Sequence, residues 1–203
     1  MAAPQTLADL LPFWYQPISV DQYHRMIDAE ILGEDDLLEL LDGFMARMSP
    51  QSVGHVHAIT YLTELLVRAL PARFQLRCQV PLTLARSEPE PDFAIVDRRI
   101  ARRAAHHPDT AVLVIEVAVD SLPKDRAKAA IYAEAGVQEY WIVDVAHRRV
   151  EVRRRPQPTR RAYADLTTVR RGTLTSPLLR GVAVPVAPLF RRSAERRRVA
   201  TRA

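Results

Sequence analysis

Cysteine is nearly missing from this sequence: Cys78 is the only one in 203 residues. No disulfide can form within the chain, and one thiol cannot build a cysteine-based zinc centre. A reducing, cytoplasmic setting fits that usage. Long apolar runs are missing too, and none approaches the ~20 residues of a membrane span. The opening stretch, MAAPQTLADLLPFW, has no basic segment ahead of an apolar run, so no signal peptide is expected. P-loop, GxGxxG and GxSxG patterns are absent, which leaves nucleotide-cofactor and serine-hydrolase chemistry without support. Lysine is the last scarcity, with Lys124 and Lys128 alone among 29 basic residues.

What is present describes a globular chain. Apolar residues make up 48% and charged residues 26%, enough for a real core and too ordinary for a disordered or fibrous protein. The charge is uneven. Residues 147–203 hold 16 Arg against 3 acids, whereas residues 1–146 hold 13 basic and 21 acidic residues. A basic half behind an acidic body suggests a polyanion partner. A coding preference for Arg at exposed positions explains the same numbers.

The apolar spacing predicts a helix over 18–31, after a Pro-flanked extension at 1–16. Asp42-Gly43 between 38–41 and 44–48 predicts a hairpin, because Gly tolerates positive φ. A helix over 53–70 follows, capped by Ser49 or Ser52. Strands are expected at 74–84 and 92–97, then a basic, His-containing loop at 98–110. AVLVIEVAV at 111–119 reads as a central strand buried on both faces. Ser121 is expected to cap a helix with Pro123 in its first turn, which Gly136 ends. Strands at 139–145 and 150–155, a Pro/Arg loop at 156–161 and short strands and turns over 162–190 complete the domain. A basic tail at 191–203 is expected to be mobile.

Glu116 is the residue that asks for an explanation. A lone carboxylate inside the most apolar strand would cost several kcal/mol or stay protonated. Asp92 opens a neighbouring strand right after Pro91. Two acids brought together on adjacent strands make an oxygen site suited to a hard divalent cation such as Mg²⁺, and the Val117 carbonyl is a further candidate ligand. Such an ion acidifies water and neutralises phosphodiester charge. Lys124 and Lys128 fall on the following helix, four residues apart and on one face, which Tyr132 continues. A lysine there can orient or help deprotonate an attacking water.

Pro91-Asp92, Glu116-Val117, Asp125-Arg126-Ala127-Lys128 and Tyr132 to Val137, followed by Glu139 to Asp144, together resemble the Uma2 family of the PD-(D/E)XK nuclease superfamily. Glu39 to Gly43, Met48-Ser49-Pro50 with His55, and Ser176-Pro177-Leu178-Leu179 with Pro188-Leu189-Phe190 extend the resemblance over about 17–190. It implies an α/β, restriction-endonuclease-like mixed sheet flanked by helices, with an N-terminal helix and hairpin extension. It also implies a Mg²⁺-dependent, or Mn²⁺-dependent, endonuclease acting on DNA, with Asp92 and Glu116 as metal ligands and Lys128 as the catalytic lysine. Ala118 occupies the position where the superfamily places that lysine, so Lys128 would supply it from the helix. A catalytically silent domain that binds nucleic acid or a partner, on the same fold, is the competing expectation.

The surrounding residues keep plainer readings beside the functional ones. Asp92 could be a turn carboxylate, Glu116 and Lys128 a buried salt bridge, and Asp120 a strand-end turn acid. Asp125 could serve its own helix. Glu39 points into the site or lies on a strand surface. His55 touches phosphate or metal, or is a polar helix-start residue. His57 diverges from it by about 200° on a helix, so the two are no metal pair. His106 and His107 read as solvated, Lys124 as exposed, and Tyr132 and Trp141 as core. A homodimer fits, since double-strand cutting needs two sites.

Overall fold

The structure is a computed structural model, and it describes residues 16–102 and 106–190. The expected extension up to residue 15 and the basic tail at 191–203 lie outside the described residues. A six-stranded mixed sheet forms the centre, in the order β3 (Phe74–Cys78), β4 (Phe93–Asp97), β5 (Leu113–Ala118), β6 (Glu139–Asp144), β7 (Arg149–Gln157) and β8 (Ala162–Val169). Only β5 and β6 are parallel, joined by helix α4 (Leu122–Glu134). The remaining neighbours are antiparallel. No described helix is long and apolar enough to cross a membrane.

Strand alternation divides the core into two layers. Leu113, Ile115 and Val117 point to one face, where α2 (Val53–Ala69) packs Ala58, Leu62 and Leu66 against them. Val114 and Ala118 point to the other, against Ile131 and Tyr132 of α4. A fully buried Leu or Ile contributes about 1.5–3 kcal/mol, so these two layers are the main source of stability. Glu116 alternates onto the α4 face. Because Phe93 pairs with Ile115 in antiparallel register, Asp92 falls opposite Glu116, where β4 begins and β5 ends.

The N-terminal part covers this end of the sheet. Helix α1 (Val20–Asp28) starts at a Ser19–Gln22 capping box. The hairpin of β1 (Leu38–Leu41) and β2 (Phe44–Arg47) turns through Asp42 at φ 51° and Gly43 at φ 83°, the left-handed pair that a two-residue turn requires. A Cβ on Gly43 would lie 2.5 Å from Pro17 Cβ, so packing requires glycine as well. Leu40 bridges to Glu88, which anchors the hairpin on the segment between β3 and β4.

Several boundaries differ from expectation. The strand expected over 74–84 stops at Cys78, where Gln79 takes φ 49°, and the chain then packs Leu82 and Leu84 without strand pairing. The loop expected from residue 98 opens with a short helix, α3 (Arg98–Ala101), capped by the Asp97 side chain. Pro156 lies inside β7 rather than in a loop, paired with Tyr163. The region expected as short strands begins with the eight-residue β8 and ends with the pair β9 (Thr173–Thr175) and β10 (Ala183–Pro185).

Candidate active site

A cleft of about 770 Å³ opens where β5 ends, between the hairpin, the start of α2 and the start of α4. The carboxyl end of a parallel strand pair is where open α/β sheets place their sites. Asp92, Glu116, Val117, Lys128, Glu39 and His55 all line it, so the metal, lysine and accessory candidates from the sequence reach one space.

Glu116 is held on two sides. Its Oε1 accepts from Lys128 Nζ at 3.0 Å and from Tyr132 Oη at 2.9 Å. Among the described residues, its Oε2 accepts only the Asp92 backbone N–H, at 3.3 Å. Oε1 is therefore saturated, and Oε2 is the oxygen left for another partner. Asp92 is braced across the strand ends: Oδ2 accepts from the Val117 N–H at 2.7 Å, and Oδ1 meets His55 Nε2 at 3.0 Å. The contact that Val117 makes here is through its amide. His55 stands in the first turn of α2, where Ser52 Oγ caps its backbone N–H.

Lys128 is 3% exposed and lies 2.7 Å from Glu39 Oε2 as well as beside Glu116. Glu39 is itself buried, delivered by β1, and its Oε1 takes Lys124 Nζ at 3.0 Å. Lys124, expected to be exposed, instead closes the cleft wall by also donating to the Arg47 carbonyl. Tyr132, expected as core alone, is a partner of Glu116. The signal was in the spacing, since Lys124, Lys128 and Tyr132 recur every four residues on one helix face. Ser121 opens α4 without capping its backbone, and its hydroxyl donates to Asp125 Oδ2 at 2.5 Å.

The electrostatics are lopsided. Six acids (Glu39, Glu90, Asp92, Glu116, Asp120 and Asp125) line the cleft against two lysines and His55. Burial lowers the pKa that Lys128 would have, but the Glu116, Glu39 and Asp125 carboxylates outweigh it and hold the ammonium charged above its ordinary range. Burial pushes Glu116 and Asp125 up, and Lys128 only partly offsets this. Glu90 is raised by burial and by Glu39. His55 is raised mainly by its hydrogen bond with Asp92. Among the described residues, no three of His, Cys, Asp and Glu converge as a ready-made metal cluster. Asp92 and Glu116 remain as a pair of carboxylate donors, and Mg²⁺ commonly takes one or two carboxylates and keeps its waters.

Residues 20–187 match the Uma2 family model, described as "Putative restriction endonuclease". The chain belongs to the Uma2 family. Its fold is shared with a solved structure from Anabaena variabilis, described as "a putative nuclease belonging to DUF820". The TM-score is 0.70 at 14% identity, covering 85% of this chain and 97% of that one. No curated protein sequence matches. The Uma2 match spans every residue of the cleft.

Proposed function

We propose that this chain is a Mg²⁺-dependent DNA endonuclease whose metal ligands are Asp92 and Glu116. The carrying observation is that these two acids, 24 residues apart, reach one cleft while Lys128 lies 3.0 Å from Glu116. The excess of acid supports a cation there. Unrelieved, it would repel a phosphodiester, and it adds to the burial that is the main cause of the raised carboxyl groups of Glu90, Glu116 and Asp125. Asp92 and Glu116 would hold a divalent cation, which would supply charge neutralisation for the phosphodiester and acidify water.

The chain's own residues prepare that arrangement. His55 and the Val117 N–H fix both oxygens of Asp92. Tyr132 and Lys128 fix Glu116 Oε1, which leaves Oε2 with the Asp92 N–H. Of the two roles open to Lys128, its charged state favours positioning over deprotonation: an ammonium between two carboxylates orients and neutralises, and has no lone pair to accept a proton. Lys128 also reaches from α4 the carboxylate that a lysine at position 118 would reach from the strand, while Ala118 is buried in the α4 layer.

Nicking of supercoiled plasmid in Mg²⁺ or Mn²⁺ tests the reading. Wild-type cutting that disappears in Asp92→Ala and in Glu116→Ala, with both variants folded, is the expected result. The competing reading, a silent binding domain, draws on Ala118 and on the closed Glu39–Lys128–Glu116 ion pairs. It predicts DNA retardation with no cutting in either metal. One cleft suffices to nick, and cutting both strands would take two, so the proposal extends to a pair of chains.

A further inference from the structure

The sheet end that carries the cleft changes sign along its length. Over β4 and β5 it is acidic, as described above. Over β6 to β8 it is basic, and the register fixes this. Asp144, the last residue of β6, pairs with Arg149, the first of β7. Val150 of β7 pairs with Val169 of β8, so Arg170 and Arg171 leave the sheet at the same end. Arg126 reaches β7 from the cleft helix by pairing with Glu151. The turn after β6 adjoins the cleft wall: a Cβ on Gly54 of α2 would lie 3.4 Å from Val145 Cγ1. Arg170 Nη1 then donates to the His147 carbonyl of that turn at 3.2 Å. Arg126 and Arg149 are balanced by Glu151 and Asp144. Arg170 and Arg171 are exposed and meet no carboxylate among the described residues.

We propose that this basic end, through its exposed Arg170 and Arg171, is the track for the phosphate backbone of the DNA duplex whose scissile bond enters the cleft. The identity of the polyanion rests on the nuclease reading, while the track is a separate surface. An acidic cleft cannot attract DNA by itself, so long-range attraction must come from a neighbouring surface of opposite sign. Exposed guanidinium groups grip phosphate oxygens through paired N–H donors without reading sequence. From β5 to β8 is three strand spacings of about 4.8 Å, or about 14 Å. At about 3.4 Å of rise per nucleotide, Arg170 and Arg171 meet phosphates about four steps from the scissile one.

The test is binding of a labelled 20-bp duplex in EDTA, which prevents hydrolysis, across a salt series, with Mn²⁺ titrated calorimetrically in parallel. Arg170→Ala/Arg171→Ala is expected to weaken binding about tenfold at low salt and to flatten the salt slope by about 1.8, at about 0.9 per lost phosphate contact. Its Mn²⁺ affinity should equal that of the wild type. Arg68→Ala/Arg160→Ala removes the same charge at the opposite end of the molecule and should change binding less than twofold. The track is overturned if the 170/171 variant binds like wild type, if the 68/160 variant loses as much, or if wild-type protein binds no duplex. In each case the Mn²⁺ titration still reports on the cleft. Loss of Mn²⁺ binding with the 170/171 effect intact would overturn the metal site and leave the track standing.

Discussion

Two groups of buried acids lie on this sheet and are treated in opposite ways. Glu139, Asp144 and Glu151, on β6 and β7, are as buried as Glu39, Glu116 and Asp125 around the cleft. Burial is therefore not the difference. The β6–β7 group is saturated with donors. Glu139 takes Trp141, Arg154 and Ser176; Asp144 takes His147 and Arg149; Glu151 takes Arg126 and Arg153. Burial would raise Asp144 and Glu151, but these hydrogen bonds outweigh it and both end below the ordinary range. In the cleft, acids outnumber cations, and Glu90, Glu116 and Asp125 end above it. One group is structural adhesive. The other is left with more acids than cations among the described residues, the imbalance on which the proposed cation site rests.

The sharpest way to break this comparison is to neutralise one acid in each group. Glu151→Gln leaves Arg126 and Arg153 without their carboxylate and should cost about 3 kcal/mol in urea unfolding, with metal response retained at low temperature. Glu116→Gln should cost less than about 1 kcal/mol, because burial already disfavours its charge and Lys128 keeps Glu39. Yet Glu116→Gln should abolish cutting and the stabilisation by Mg²⁺, which at 100 times its Kd is about 2.7 kcal/mol. Reversed results, with Glu116→Gln unfolding and Glu151→Gln losing its metal response, would refute the assignment of the two groups.

The pH dependence of stability should also part along this line. A carboxyl raised in the folded state contributes stability that is present below its unfolded pKa and lost as pH rises. For Glu116, pushed up by burial to about 8, the loss runs from about pH 4.5 to about 8. Asp144, lowered, contributes stability above its unfolded pKa that is lost as pH falls. Melting temperatures measured from pH 4 to 9 in EDTA should therefore show a shallower alkaline decline in Glu116→Gln and a shallower acid decline in Asp144→Asn. Parallel curves for both variants and wild type would remove the distinction.

How much of this could be read from the sequence depends on range along the chain. The Asp42-Gly43 turn, the apolar Leu113–Ala118 strand and the α4 boundaries follow from local chemistry, and they appear nearly as expected. The cleft acids were readable because a carboxylate in an apolar strand is anomalous by itself. Partners were not readable: Glu39 on Lys128 and Lys124, or Glu139 under Ser176, are contacts between residues dozens of positions apart. The Arg-rich half misleads in part for the same reason. Arg153, Arg154 and Arg161 neutralise Glu151, Glu139 and Asp42 inside the fold, so their charge is not offered to a polyanion. Strand ends such as Cys78 depend on a left-handed residue, Gln79, that no side-chain pattern marks.

The finest test of the comparison uses two tyrosines on adjoining elements. Tyr132 and Tyr140 are both fully buried with ring centroids 4.9 Å apart, and each hydroxyl makes one hydrogen bond. Tyr132 donates to Glu116 Oε1 at 2.9 Å, and Tyr140 donates to the Asp125 carbonyl at 2.7 Å. Replacing either by Phe removes one buried hydrogen bond and should cost about 1 kcal/mol in stability. Only Tyr132 holds a carboxylate proposed as a metal ligand, whose charged form that role would need. Tyr132→Phe should therefore also weaken Mn²⁺ binding several-fold and move the pH midpoint of that binding upward, whereas Tyr140→Phe should leave both unchanged. Equal stability losses with a metal effect in Tyr132→Phe alone would identify its hydroxyl as a positioning group for Glu116. Equal metal effects in both would mean that the site responds to general loosening of the α4 layer.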